Sequence, residues 1–258
     1  MTRQVNLNAD MGEGHGAYDI GDDEALLEIV RSANIACGFH AGDPLTMRRL
    51  ATRATDKAVS LGAHPGFNDL WGFGRRPIHM PGDQLEYLVA YQIGALQAMA
   101  AYAGARVTHV KPHGSLNNMA AVDADYAMAI GRAIKAVDSG LIYVAQAGTE
   151  MERAAEKLGL PLAREAFCDR TYEDDATLTP RSIAGSVIRD PDRVRERVVD
   201  MVLEQRVTAR SGKRIPVRID TLCVHGDEPT AVAVARAARE ALEAAGVAIV
   251  PLPEMTLA

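Results

Sequence analysis

Residues 6–14 read NLNADMGEG. Asn6, Asn8 and Asp10 alternate with Leu7 and Ala9, and the run then breaks into Met11-Gly12-Glu13-Gly14. Successive side chains on a strand point to opposite faces. One face of this segment is therefore apolar, and the other is polar and ends on a carboxylate. The same division recurs twice. Ile35, Cys37 and Phe39 alternate with Asn34, Ala36, Gly38 and His40, and Val59, Leu61 and Ala63 alternate with Ser60, Gly62 and His64. Central strands of an open, doubly wound sheet are covered by helices on both sides and should be apolar on both faces. In a closed barrel the apolar side chains meet an outer ring of helices, and the small or polar ones fill a narrow lumen.

Strand-like runs alternate with helix-like runs along the whole chain, the pattern of parallel strands joined by helical crossovers. The strands are predicted at Val5–Ala9, Asn34–Gly38, Val59–Ala63, Val107–Lys111, Leu141–Ala145, Leu162–Phe167 and Ile219–Val224, with a further short run at Val247–Val250. Helix starts are expected at Asp43-Pro44 and Asp190-Pro191, where an N-cap acid precedes a proline. Capping boxes are expected at Asp83/Glu86 and Thr149/Glu152, and C-terminal stops at Gly159 and Gly246. Val194, Val198, Val202 and Leu203 form one core-facing stripe. The reading is an α/β fold, a seven-stranded (β/α) barrel forming one domain over residues 1–258, a length normal for such a barrel.

A net charge of −6, no basic run and 5 % aromatic residues argue against a nucleic-acid surface. Cys37, Cys168 and Cys223 are few and widely spaced, which fits small buried apolar residues in a reducing compartment. The apolar run Leu88–Ala105 is interrupted by Gln92 and Gln97, so a buried helix is expected and no membrane span. Strand-like residues begin by Val5, so no secretory signal is expected and a cytoplasmic location is.

In (β/α) barrels the site forms at the C-terminal ends of the strands. Four of the seven histidines stand at or just past a strand end: His40, His64, His113 and His225. Asp10 ends the first strand. His109 and Lys111 share the inner face of the fourth, and Glu165 ends the sixth, before Asp169, Arg170 and Tyr172. A lysine inside a lumen needs an anionic partner, and Asp10 or Glu165 can serve. The Gly-rich loop HPGFNDLWGFGRRP, with Arg75 and Arg76, is a candidate anion binder. Asp10, His40, His64 and His113 form an N/O set suited to zinc or a similar ion, and equally suited to acid–base work without a metal. GxxxxGK[ST], a GxGxxG after a strand and GxSxG are all missing.

The motifs NADMGEG, NIACGFHAGDP, GAHPGFNDLWGFGRR, VKPHGSLNN, EAFCDRTYEDDATLTPRS and VHGDEP occur in this order between Asn6 and Pro229. Together they resemble the LamB/YcsF family, whose members are described as the A subunit of 5-oxoprolinase. Leu70-Trp71 is more apolar than that resemblance leads one to expect. The resemblance implies a seven-stranded (β/α) barrel related to glycoside hydrolases and carbohydrate deacetylases. It implies ATP-dependent opening of the lactam of 5-oxoproline to L-glutamate, with partner subunits B and C. Under it, Asp10, His40, His64, Lys111, His113 and Glu165 are the candidate catalytic residues, with Asp10 or Glu165 as base. Asn8, Glu13, Arg75, Arg76, Asp169, Arg170 and His225 are the candidate substrate contacts. ATP is the expected co-substrate, and a divalent metal, as Mg with ATP or as a bound ion, is compatible with these residues. Self-association is also compatible; nucleic acid and membrane are not expected partners. Two other functions stay open: a metal-dependent deacetylase or amidohydrolase acting alone, and a non-catalytic oxoproline-binding subunit.

Overall fold

The computed structural model describes residues 3–257. The elements are β1 (Gln4–Met11), α1 (Asp23–Leu27), β2 (Ser32–Ala36), α2 (Pro44–Asp56), β3 (Ser60–His64), α3 (Gly82–Tyr102), β4 (Val107–Val110), α4 (Gly114–Val122) and α5 (Ala124–Val137). There follow β5 (Ile142–Gln146), α6 (Glu150–Leu158), β6 (Leu162–Phe167), α7 (Pro191–Glu204), β7 (Arg206–Thr208), β8 (Arg214–Pro216), β9 (Thr221–Val224), α8 (Ala231–Ala244), β10 (Ala248–Ile249) and a 3₁₀ turn at Leu252–Glu254.

Seven strands close a barrel in the order β1-β2-β3-β4-β5-β6-β9, with β9 pairing back to β1. Every pairing in it is parallel. Leu7, Ala9, Leu61, Ala63, Val110, Tyr143, Leu222 and Val224 belong to the apolar layer between barrel and helices. The lumen is packed with polar side chains, most of which hydrogen-bond to one another, although Glu165 Oε2 has no partner among the described residues. Asn34 Nδ2 donates to Asn8 Oδ1 (2.7 Å), and Asn8 Nδ2 donates to Glu165 Oε1 (3.0 Å) and Thr221 Oγ1 (2.7 Å). His109 Nε2 lies 3.1 Å from Asn34 Oδ1. Gly62 makes room for that imidazole: a Cβ there would sit 2.1 Å from His109 Nε2.

The lower end is closed by the chain's last segment. β10 pairs with Gln4 and Val5 at the start of β1. Asn6 Nδ2 donates to the carbonyl of Val250, and Leu252 packs against Ile142, Val144 and Ala163 in a small separate apolar cluster. An apolar plug thus seals the foot of β5 and β6, beneath the polar layers of the lumen.

Most sequence expectations hold to within two residues. The strand predicted at Asn34–Gly38 is Ser32–Ala36, and the one predicted at Val247–Val250 is β10, which lies outside the closed barrel. The antiparallel pair β7–β8 was not expected; three-residue strands carry too little periodicity to read. Asp43 and Asp190 cap α2 and α7, each before its proline. Asp83 is not an N-cap: α3 starts one residue earlier, with Pro81 at the cap position. Thr149 does cap α6, but its hydroxyl donates to the Gln146 carbonyl, and Glu152 accepts from Gly148 N, so no capping box forms. On α7 the stripe is Val194, Val198, Met201 and Val202, and Leu203 is 39 % exposed. Gln92 is buried on α3 and grips the backbone of Gly66 with both amide atoms. No helix among the described residues is long and apolar enough to cross a membrane.

Candidate active site

The barrel mouth holds a cavity of about 520 Å³, lined among others by Asp10, His64, Arg75, Lys111, His113, Asn117, Gln146, Phe167, Arg170, Arg181 and His225. Asp10 is the last residue on the inward, polar face of β1. Its Oδ1 accepts from Lys111 Nζ (2.6 Å) and Asn34 Nδ2 (2.9 Å), and its Oδ2 lies 3.4 Å from His64 Nε2. Burial opposes ionisation of Asp10. The facing His64 and Lys111 outweigh it and hold the carboxyl well below its usual range. Burial likewise opposes the Lys111 charge, but Asp10, Cys223 and Glu165 around it hold its pKa well above normal. Lys111 Nζ also donates to Cys223 Sγ (2.8 Å). Cys223 is therefore a lumen residue facing a charge, and not simply the small apolar filler expected from composition.

Glu165 lies one layer lower. β6 runs on to Phe167, so Glu165 is two residues short of the strand end. It does not line the cavity, and its Oε1 is 3.4 Å from Lys111 Nζ. Burial pushes its pKa up to about 7, against the partial relief given by Lys111. Between the ordinary value of 4.5 and about 7 the folded chain keeps a proton that the unfolded chain loses, so this group makes stability fall as pH rises through that window. Glu165→Gln keeps the Asn8 contact and removes the titration. The variant is expected to gain stability relative to the parent between pH 5 and 8, by at most about 1.4 kcal/mol per pH unit. Urea midpoints at the two pH values check this, and parallel curves would contradict it.

The second group is histidine-rich. His40 and His113 stack with ring centroids 3.7 Å apart, and His64 stands edge-on to both. Glu13 enters from the loop after β1, with Oε1 3.2 Å from His113 Nδ1, 3.5 Å from His40 Nε2 and 3.9 Å from His64 Nε2. One ligand atom from each of these four buried residues falls within 4.8 Å of the others, so the group could hold a metal ion. The anticipated donor set had Asp10 in place of Glu13; Asp10 is instead committed to Lys111 and Asn34. Burial drives the His40 pKa down to about 4 and lowers that of His113, while the imidazoles around Glu13 overcome its burial and keep it ionised. Gly74, at φ +61°, lets its loop lie across this stack: a Cβ there would be 2.7 Å from His40 Cβ and 2.9 Å from His113 Cδ2.

Across the cavity His225 pairs with Asp169. His225 Nδ1 is 3.0 Å from Asp169 Oδ1, and its backbone N–H donates to Asp169 Oδ2 (3.0 Å). Phe167 stacks on the ring. Burial resists ionisation of Asp169, but His225 holds its pKa below normal. Arg170 is buried. Its Nε and Nη2 donate to the carbonyls of Ser186 and Thr179, and it forms no ion pair among the described residues. Burial and the neighbouring Arg181 lower its pKa to about 10. Arg197 donates to the Arg170 carbonyl and lies over Tyr172, bracing this loop.

The predicted residues thus fall into distinct places. Asp10, His64, Lys111, His113, Arg75, Arg170 and His225 line the cavity, while His40, Glu13 and Asp169 stand directly behind its wall. Asn8 and Glu165 lie beneath it. Arg76 is outside: it pairs with Asp69 and is largely exposed. Arg75 reaches over the Phe73 ring to Asp227 (2.6 Å). Sequence reasoning missed Asn117, Gln146 and Arg181. Gln146 ends β5 on the inner face, but the apolar Ile142 and Val144 below it conceal the alternation. Asn117 donates to Gln146 Oε1 (3.3 Å) and sits in the KPHGSLNN motif. Arg181 comes from a loop without periodicity.

Fold and site together define a closed (β/α) barrel with buried ionisable groups and, at its mouth, a donor group that could hold a metal ion. The catalytic domain of a peptidoglycan N-acetylglucosamine deacetylase from Eubacterium rectale shares the fold, with a TM-score of 0.51, 10 % identity, and 97 % of this chain and 89 % of that one covered. The chain belongs to the LamB/YcsF family, whose model matches residues 5–257. A protein of Rhodopseudomonas palustris (strain BisB18) described as the A subunit of 5-oxoprolinase is 53 % identical over 248 residues, 96 % of this chain and 97 % of its own length. The crystal structure of a lactam utilization protein from Thermus thermophilus superposes with a TM-score of 0.90 at 46 % identity, covering 96 % of this chain and 99 % of that one.

Proposed function

We propose that this chain is the catalytic subunit of an ATP-dependent 5-oxoprolinase, opening the lactam of 5-oxoproline to L-glutamate with two partner subunits, B and C. The observation that supports it most is the pairing, in one cavity, of two acid–base centres and a buried guanidinium without a carboxylate partner among the described residues. 5-Oxoproline carries one carboxylate and one unreactive cyclic amide. Arg170, aided by Arg75 and Arg181, suits the carboxylate. The amide then lies toward Lys111, the histidines and His225.

The chemistry balances as 5-oxoproline + ATP + two waters giving glutamate + ADP + phosphate. Phosphoryl transfer to the lactam oxygen makes the ring carbon electrophilic. Water adds to it, the C–N bond breaks, and the ring nitrogen leaves as the amine with a proton. A second water hydrolyses the resulting acyl phosphate. His225, oriented by Asp169, is placed to move the proton of the water or the amine. The Lys111 ammonium, held by Asp10, faces the oxygen on which negative charge develops. Glu165, below the cavity, acts on Lys111 and not on substrate.

The test is Arg170→Gln in the assembled complex. KM for 5-oxoproline is expected to rise by roughly one to two orders of magnitude, the loss of a charge-assisted pair, with a smaller change in kcat. An unchanged KM would remove Arg170 from the substrate site. A second reading, metal-dependent amide hydrolysis without ATP, is favoured by the Glu13/His40/His64/His113 group, and predicts turnover by the chain alone.

A further inference from the structure

We propose that Glu13, His40, His64 and His113 together bind one divalent transition-metal ion, and that this ion adjoins the cavity at the barrel mouth. The positions of the imidazole protons point to this ion. His64 Nδ1 lies 2.7 Å from the carbonyl oxygen of Lys111, and His113 Nε2 lies 2.8 Å from that of Phe73. A carbonyl only accepts, so both of these nitrogens carry hydrogen. In neutral rings His64 Nε2 and His113 Nδ1 then present bare lone pairs, yet these two atoms face each other at 3.0 Å. Glu13 Oε1, a third acceptor, stands 3.2 Å from His113 Nδ1. Three acceptors converge, and a cation between them resolves the conflict.

His40 supplies the independent observation. Both of its ring nitrogens, and Glu13 Oε1, are buried without a hydrogen-bond partner among the described residues. Orphaned buried polar atoms are rare and call for an explanation such as an ion. The imidazole-to-carbonyl bonds are themselves the usual support of ligating histidines, since they fix the tautomer and aim the other nitrogen at the metal. Three imidazoles and one carboxylate favour Zn²⁺, Fe²⁺, Mn²⁺ or Co²⁺ over Mg²⁺ or Ca²⁺, which prefer oxygen ligands. His64 and His113 line the cavity, so a metal they hold stands where it can polarise a carbonyl or activate water. This assignment does not rest on the lactam reading and survives its failure.

The test uses the full chain, stripped with chelator and titrated separately with Zn²⁺, Mn²⁺ and Co²⁺ by calorimetry, with visible absorption for Co²⁺. One ion per chain in the micromolar range or tighter is expected, together with a raised Tm. Glu13→Gln and His113→Ala are expected to weaken binding by about tenfold or more, while the surface change Tyr102→Ser leaves it unaltered. X-ray absorption on the loaded parent protein, which needs no variant to fold, is expected to show several imidazole ligands. No saturable binding by any of the three ions overturns the proposal and leaves a shared proton between His64 and His113. Binding that persists in both variants, or a spectrum without imidazole, overturns it as well.

Discussion

Lys111→Met in the assembled complex is expected to abolish measurable turnover and to destabilise the chain by about 3–5 kcal/mol. The ammonium stands among Asp10, Glu165 and Cys223, with Nζ at 2.6 Å, 3.4 Å and 2.8 Å from them. Methionine fills similar volume but leaves the Asp10 carboxylate buried, with only Asn34 and His64 to support it. A charge buried without its partner is among the costliest single defects a fold can carry. The double change Lys111→Met/Asp10→Asn is therefore expected to recover a large part of the stability and none of the activity. Urea unfolding of the single and double variants checks the first half, and turnover checks the second. A loss under about 1 kcal/mol for Lys111→Met would mean that Asp10 is not held as a buried ion.

The second large effect is expected at His225. His225→Gln should lower kcat by about two to four orders of magnitude, the usual contribution of a positioned acid–base group, with little change in KM. Asp169→Asn should give a smaller loss in the same parameter, because it disturbs the orientation of the imidazole and leaves the ring in place. This pair separates proton transfer from anion binding: Arg170→Gln moves KM, and His225→Gln moves kcat. Steady-state kinetics of the two variants decide the division. Equal losses in KM for both would place His225 among the binding groups, where the sequence had placed it.

The barrel was legible because its lumen is polar. Asn6, Asn8 and Asp10 could alternate with Leu7 and Ala9 only if one face met helices and the other did not. The general position of the site followed from strand ends, and it located Asp10, His64, Lys111, His113 and His225 at one cavity. Finer placement was not legible. Glu165 was read as the end of the sixth strand, but that strand, with the bounds expected for it, runs two residues further to Phe167, which puts Glu165 a layer below the cavity. Arg75 and Arg76 are adjacent in an irregular loop, and no periodicity says which one turns inward. Glu13 displaced Asp10 from the donor group for the same reason, since the MGEG turn sets its direction and not strand alternation. Gln146 reaches the cavity from the inner end of β5, where the apolar Ile142 and Val144 hid the alternation, and Arg181 reaches it from an irregular loop.

The most direct test of the account is to combine this chain with its two partner subunits, ATP and 5-oxoproline, and to follow glutamate and ADP together. Equal amounts of both are expected, and neither when this chain or ATP is left out. An assembled complex that forms neither product, or that forms glutamate without ATP, would contradict it.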